Sequence, residues 1–272
     1  MPAFNVISPD KLFRLIGTAS CPAVVDVRPD DDGLLLPTAL RRSAGDVPEW
    51  ASEFARRQVV VYCVRGQERS AGVAALLRSE GIAAEILEGG FEAWREAGLP
   101  LLDTGKLPPR DERGRTLWVT RARPKVDRIA CPWLIRRFVD PNAAFLFVAA
   151  AEVGGVAERF GATPFDVEGV FWSHRGELCT FDTMVSELGL AGFPALERLA
   201  VIVRGADTAR PEIAPQAAGL LAASLGLSRM HSDDLRQLED GMILYDAFYR
   251  WCRDAVDETH DWVSHTSPGK RK

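Results

Sequence analysis

Three short apolar runs most constrain the fold: AVVDVRP (23–29), VVVYC (59–63) and AAEILEGG (83–90). Runs this brief and this rich in valine read as strands buried on both faces. Between and around them lie stretches with helical spacing: SPDKLFRLIG (8–17), EWASEFAR (49–56), SAGVAALLRSEG (70–81) and FEAWREAG (91–98). In the first of these, Ser8 is the expected N-cap and Pro9 the first helical residue, with Leu12, Leu15 and Ile16 on one face. Gly81 and Gly98 close the last two. Strands and helices in alternation predict a parallel sheet flanked by helices, an α/β fold.

At 272 residues the chain is long enough for two modest domains. The segment LLDTGKLPPRDERGR (101–115) has prolines, glycines and charges but no period, and residues 103–115 read as a linker. Beyond it the texture changes. TLWVTRAR (116–123) and AAFLFVA (143–149) read as strands, and CPWLIRRFVD (131–140) as a helix opened by Pro132. VFWSHRGELCTFD (170–182) reads as a hairpin, and helices are expected at 193–204, 214–226 and 233–254. In the last, Leu235, Leu238, Met242, Tyr245, Phe248 and Tyr249 share a face, and Tyr245, Phe248, Tyr249 and Trp251 form an aromatic stripe that reads as core. The expected layout is an α/β domain over 1–102, the linker, a mainly helical α+β domain over 116–256 and a polar tail over 257–272.

The net charge of −5 argues against a general nucleic-acid or anionic-membrane binder. No window approaches the ~18 apolar residues of a membrane span, and MPAFNVISPDKLFRLIG has no leader pattern. The five cysteines form no CxxC pair, which argues against a disulfide framework and for reduced thiols in the cytoplasm.

In VVVYCVRGQERSAGVAALLRSEG (59–81), a strand delivers Cys63 into a short loop that turns straight into a helix. Loop amides and the helix dipole stabilise an anion there, so the thiol is expected below its ordinary pKa of ~8.5 and more nucleophilic. Gly66 lets the backbone curl around a substrate, and Arg65 and Arg69 add charge suited to sulfate-, thiosulfate- or phosphate-like groups. The plainer reading is a buried core cysteine beside a surface loop.

VVDVRP (24–29), the Cys63 loop and LEGGFEAWREAGLPL (87–101) stand in the order found in rhodaneses, and residues 1–102 resemble a single rhodanese domain. The resemblance implies a sulfurtransferase in which Cys63 takes sulfane sulfur from thiosulfate or a persulfide. It then passes that sulfur to a small-molecule or protein thiol, with no cofactor. It assigns Val64, Arg65, Gly66, Gln67, Glu68 and Arg69 to the substrate-cradling loop. Asp26 and Arg28 fall at the family's strand end, where they organise neighbouring loops. Many single rhodaneses read C-x-x-G-x-R-S, whereas C-V-R-G-Q-E-R-S is one residue longer. Its C-x5-R spacing resembles rhodanese-related phosphatases and arsenate reductases, so an oxyanion (arsenate or chromate) reductase or phosphatase is the alternative. Glu68 in the loop would repel a phosphate dianion, which favours sulfur transfer. ALRRSAGDVPEW (39–50) departs from the family's usual wording.

VDRIACPWLIRRFVDP (126–141), SHRGELCTFD (173–182), LAVIVRGADTAR (199–210), APQAAGLLAASLGLSRM (214–230) and DGMILYDAFYRWC (240–252) resemble the C-terminal domain of the chromate resistance protein ChrB family. That implies a part in chromate resistance, with chromate or a related oxyanion as partner. The resemblance implies regulation, sensing or an enzymatic step, and a chromate-responsive regulator without turnover is a further alternative. The residues themselves suggest more. A turn at Arg175–Gly176 would set His174 opposite Glu177, with Cβ atoms ~5 Å apart, on the face of Trp172 and Cys179. With Asp182 at the strand end, His174 and Glu177 could hold a metal ion or relay protons; a simple cross-strand pair is the alternative. His231 would have to fold back to join them, and His260 and His265 lie in the tail. Arg128, Arg136, Arg137, Arg204 and Arg210 interrupt apolar segments and could line an anion pocket, or pair locally as Arg204 and Asp207 would at i,i+3. Cys131, expected at a Cys-Pro helix start, could accept sulfur from Cys63 or reduce an oxidant, or be structural. The second-domain candidates are thus Arg128, Cys131, Arg204 and Asp207.

Overall fold

The structure is a computed structural model that describes residues 5–258. Most of the expected polar tail, with His260 and His265, lies outside the described residues. The first half runs β1 (Val6–Ile7), α1 (Pro9–Leu15), β2 (Ala23–Asp26), β3 (Leu34–Leu35), β4 (Leu40–Arg41), α2 (Val47–Trp50), β5 (Val59–Tyr62), α3 (Glu68–Ser79), β6 (Ala84–Leu87), α4 (Gly90–Glu96) and β7 (Leu102–Asp103). Strands β1, β6, β5, β2 and β4 form one sheet in that order, every pairing parallel. The Ser8 hydroxyl accepts from the Lys11 amide at 3.3 Å, and Pro9 opens α1, as its capping pattern requires. The expected helix at 49–56 instead splits into α2 and a tighter 3-10 turn, Ala51–Phe54.

Strand β5 shows how the sheet divides its burial. Val59 and Val61 pack with Trp50, Phe54, Val73 and Leu77 on one face. Val60 and Tyr62 face the other way, towards Leu12 and Trp94. This second face does not end at its own helices. Its cluster continues without a break into Trp118, Trp133, Phe138 and Phe193 of the second half. Phe13 stacks on Phe193 with ring centroids 4.6 Å apart, and the Thr38 amide donates to the Phe138 carbonyl at 2.9 Å. Gly17 sits at φ +82°, where a Cβ would lie 2.3 Å from the Phe138 ring.

The segment 103–115, read as a linker, is strapped to both halves. β7 pairs antiparallel with β3, the Thr104 hydroxyl donates to the Gly33 carbonyl, and Arg110 reaches Asp140 at 3.1 Å. Its absence of period reflects a strap one residue thick, which has no face to bury.

The second half runs β8 (Leu117–Arg121), α5 (Asp127–Leu134), β9 (Ala144–Val148), α6 (Val153–Phe160), β10 (Thr163–Pro164), α7 (Thr180–Glu187), α8 (Pro194–Asp207), α9 (Ala217–Met230) and α10 (Asp234–Asp254). β10, β8 and β9 form a small parallel sheet, and helices make up the rest. Two expectations are corrected. The helix at 131–140 begins four residues earlier, at Asp127, and leaves Pro132 in its interior. It ends in a π-helical turn, Ile135–Val139. The hairpin at 170–182 shrinks to one bridge between Arg175 and Leu178. Its second arm is helical because Asp182 reaches back to the Cys179 amide at 3.1 Å and caps α7. In α10, Leu238, Met242, Tyr245 and Tyr249 are buried as expected, but Leu235, in the first turn, is 52% exposed. The aromatic stripe is core: Trp133 lies 5.4 Å from Tyr249 and 6.2 Å from Tyr245.

Candidate functional site

Strand β5 stops at Tyr62 and α3 starts at Glu68, so Cys63 opens a short loop between the C-terminal end of the central strand and a helix N-terminus. The loop is braced from behind. Gly90, at φ +61°, passes so close that a Cβ would lie 2.4 Å from the Cys63 carbonyl. That carbonyl accepts from the Phe91 amide at 3.0 Å, and the Val64 carbonyl from the Glu92 amide at 3.0 Å. Gly66, at φ +65°, would drive a Cβ to 2.5 Å from the Leu87 carbonyl. Its lack of a side chain therefore serves packing against the β6–α4 turn, not only room for a substrate.

Cys63 is 6% exposed and forms the floor of a cavity of about 290 Å³, lined by Pro29, Val64, Arg65, Gln67, Glu68 and Arg69. Burial alone pushes its pKa up. The Ser70 hydroxyl, 3.3 Å from Sγ, and the amides of Ser70, Gln67 and Arg65 outweigh that and leave the thiol below its ordinary value. Arg65 swings outward to Glu92 at 3.0 Å. Arg69 has no carboxylate partner among the described residues; it borders both this cavity and a neighbouring one lined by Arg28, Arg41 and Arg42. Arg28 is buried against Asp26 at 3.0 Å and Asp32 at 2.9 Å, and lies 3.8 Å above the Phe91 ring. Arg28 and Asp26 thus fix the 28–34 loop beside the cavity, away from the sulfur.

A second constellation lies in the other half. His174 Nε2 stands 3.1 Å from Asp207 Oδ2, 3.4 Å from Asp166 Oδ1 and 3.5 Å from Asp127 Oδ2. Asp127 opens α5, Asp207 ends α8, and His174 comes from the loop before α7. The Thr180 amide donates to Asp127 at 2.6 Å, and its hydroxyl to Asp166 at 3.0 Å. Hydrogen bonding to Asp127 and the surrounding carboxylates raise His174 to about 9 despite desolvation; burial and the neighbouring acids raise Asp207 to about 7. Burial likewise holds Asp127 above the usual carboxylate range.

Comparison with known proteins accounts for both halves. Residues 8–97 match the rhodanese-like domain and residues 118–252 match the ChrB C-terminal domain. The chain joins a rhodanese-like domain to a ChrB C-terminal domain. Protein ChrB of Cupriavidus metallidurans is 35% identical over 149 residues, 53% of this chain and 44% of that protein, so less than half of the relative's length is spanned. Among solved structures, a rhodanese-like domain protein from Staphylococcus aureus is 29% identical and covers 34% of this chain and 91% of its own, with a TM-score of 0.31. A rhodanese-related protein from Thermoplasma volcanium is 20% identical and covers 36% and 98%, with a TM-score of 0.31. No helix among the described residues is long and apolar enough to cross a membrane.

In the ChrB domain the expected metal set does not form. The turn centres on Gly176–Glu177, with reciprocal bonds between Arg175 and Leu178, one residue later than expected. That slip points Glu177 into solvent, 83% exposed and paired with Arg210 at 3.1 Å. Asp182 is spent on capping α7 and on Arg204 at 3.0 Å, so Arg204 does not pair with Asp207. Nor do the arginines converge on an anion: Arg128 meets Asp166, Arg136 Glu239 and Arg137 Asp246. Cys131 lies in mid-helix, wholly buried, and desolvation with the nearby acids pushes its pKa far up, which removes the reason to expect a thiolate. Sequence reasoning missed Asp127 and Asp166. The available signal was a carboxylate set among apolar residues, VDRIAC and PFDV, each needing a buried partner. In the rhodanese-like domain it missed Ser70, Arg41 and Arg42.

Proposed function

We propose that the rhodanese-like domain is a sulfurtransferase that carries sulfane sulfur as a Cys63 persulfide. The Cys63 thiolate attacks the outer sulfur of thiosulfate; a new S–S bond forms, the thiosulfate S–S bond breaks, and sulfite leaves with the electron pair. Cyanide, a small thiol or a protein thiol then attacks the outer persulfide sulfur and returns Cys63 as thiolate. The observation that carries this reading is the sulfur itself: at the floor of an open cavity, facing the Ser70 hydroxyl and three amides that lower its pKa. The same donors favour the developing negative charge of the departing sulfite and then of the persulfide. The attached ChrB domain supports a part in the response to chromate or a related oxyanion.

Thiosulfate–cyanide sulfur transfer tests this in wild type and Cys63→Ser. Turnover in the first and none in the second is expected; turnover that survives Cys63→Ser contradicts it. A second reading, oxyanion reductase or phosphatase, is favoured by Arg69, which closes the C-x5-R loop and borders the cavity with no carboxylate partner among the described residues. Arsenate and aryl phosphates in the same assay series separate the two. A chromate-responsive regulator would show neither activity and would shift its own promoter DNA in a chromate-dependent way.

A further inference from the structure

We infer that Asp127, His174 and Asp207 bind one divalent first-row transition cation in the ChrB domain. These three residues offer ligand atoms that all lie within 4.8 Å of one another. They come from three separate elements: the first residue of α5, the last of α8 and the loop before α7. Only the tertiary fold brings them together.

Two independent observations point to a ligand at their centre. The first is Asp127. It is fully buried and its only ion-pair partner among the described residues is His174. Its Oδ2 accepts from Thr180, but Oδ1 has no hydrogen-bond partner among the described residues. A buried carboxylate with an idle oxygen is costly unless a cation meets it. The second is spacing. One imidazole nitrogen carries at most one proton, yet three carboxylates ring His174 Nε2 at 3.1, 3.4 and 3.5 Å. Charge-assisted hydrogen bonds would draw in to roughly 2.7–2.9 Å. Neighbouring ligand atoms on a tetrahedral ion with bonds of about 2.0–2.2 Å stand roughly 3.3–3.6 Å apart. The two contacts that His174 makes with the other proposed ligands, 3.1 Å to Asp207 and 3.5 Å to Asp127, straddle that spacing.

Asp166 belongs outside that shell. Its oxygens already serve the Thr180 hydroxyl at 3.0 Å, Arg128 at 3.3 Å and Arg121 at 3.5 Å. Thr180 in turn holds Asp127 through its amide, so Asp166 orients a ligand through Thr180, as outer partners do at metal centres. One imidazole and two carboxylates suit Zn²⁺, Mn²⁺ or Fe²⁺ better than the all-oxygen sites of calcium or magnesium. Three protein ligands leave a position open. His174 is 40% exposed and borders a cavity of about 520 Å³ shared with Arg121 and Ser173, through which an ion and its remaining ligand can enter.

The test uses the full chain, stripped with chelator and titrated calorimetrically with Zn²⁺, Mn²⁺ and anaerobic Fe²⁺, in wild type and in Cys63→Ser so that the reactive thiol cannot be the site. One ion per chain is expected for at least one of these metals in both backgrounds. Binding should weaken at least roughly tenfold in His174→Gln and Asp207→Asn, and stay unchanged in Glu177→Gln. His174 and Asp207 are partly exposed, so both variants should keep the fold, checked by circular dichroism; Asp127→Asn is buried and is not relied on. Absence of stoichiometric binding by all three metals overturns the site and leaves a proton-sharing cluster in its place. Binding that survives His174→Gln at full affinity, or vanishes in Cys63→Ser, overturns it equally.

Discussion

Ser70→Ala should raise the Cys63 pKa by about one to two, back towards that of an ordinary buried thiol. The Ser70 hydroxyl sits 3.3 Å from Sγ and the side chain is fully buried, so no water takes its place. It carries one proton. When that proton is not on the sulfur it is given to the Gln67 carbonyl at 3.1 Å. That carbonyl also accepts from the Ala71 amide at 2.9 Å, so it keeps a partner when the hydroxyl turns towards the thiolate. A hydrogen bond to a charged group contributes about 1.5–3 kcal/mol, and about 1.36 kcal/mol corresponds to one pKa unit. Burial opposes the thiolate throughout, and the amides of Gln67 and Arg65 remain. The assay is alkylation of Cys63 by iodoacetamide as a function of pH, followed by peptide mass spectrometry. The rate tracks thiolate and falls as pH drops through the folded-state pKa. Because that pKa lies below the unfolded one, the thiolate's contribution to stability is present above the unfolded value and lost as pH falls through the folded value. A midpoint that stays put or moves down in Ser70→Ala refutes the assigned role of the hydroxyl.

Further outcomes follow from the same packing. Gly90→Ala forces a methyl to 2.4 Å from the Cys63 carbonyl at a positive φ, and should abolish sulfur transfer and lower the melting temperature; wild-type turnover would contradict the bracing of the loop. Arg28→Met keeps the residue-28 amide on Asp26 but leaves that fully buried carboxylate with Arg41, at 3.6 Å, as its one ion-pair partner among the described residues, and should cost about 3–5 kcal/mol by urea unfolding. At neutral pH, alkylation should fall on Cys63 alone, since burial pushes Cys21 and Cys252 to about 11 and holds Cys131 and Cys179 well above the ordinary thiol value; peptide mapping reads this directly. Scanning calorimetry of the full chain should show one transition, because Trp94 and Trp118 share a core; two would separate the halves.

The first half was legible because its signals are local. Valine-rich strands, the Ser8–Pro9 cap and a cysteine between strand and helix are each written within a few residues. Ser70 escaped notice because it lies seven residues from Cys63 and meets it only once α3 has formed. In the second half the helices were visible from their periodicity, but the site was not. The hairpin reading assumed that a turn at Arg175–Gly176 sets the register, and a shift of one residue sends Glu177 outward while the polar end of His174 reaches Asp127, Asp166 and Asp207. Those carboxylates lie up to 47 positions away along the chain, so no spacing rule links them. The helix start was misplaced because Pro132 fits a first turn well, yet α5 begins at Asp127 after Val126, whose φ of +38° no sequence rule anticipates for a β-branched residue. The strap at 103–115 showed only its composition; its clasps to Gly33 and Asp140 are long-range.

The most direct measurement is the mass of the protein after incubation with thiosulfate. One added sulfur, located on the peptide that carries Cys63 and removed by cyanide, is the expected result. Protein that takes up no sulfur, or takes it up on Cys21 or Cys252 while Cys63 stays bare, would contradict Cys63 as the carrier.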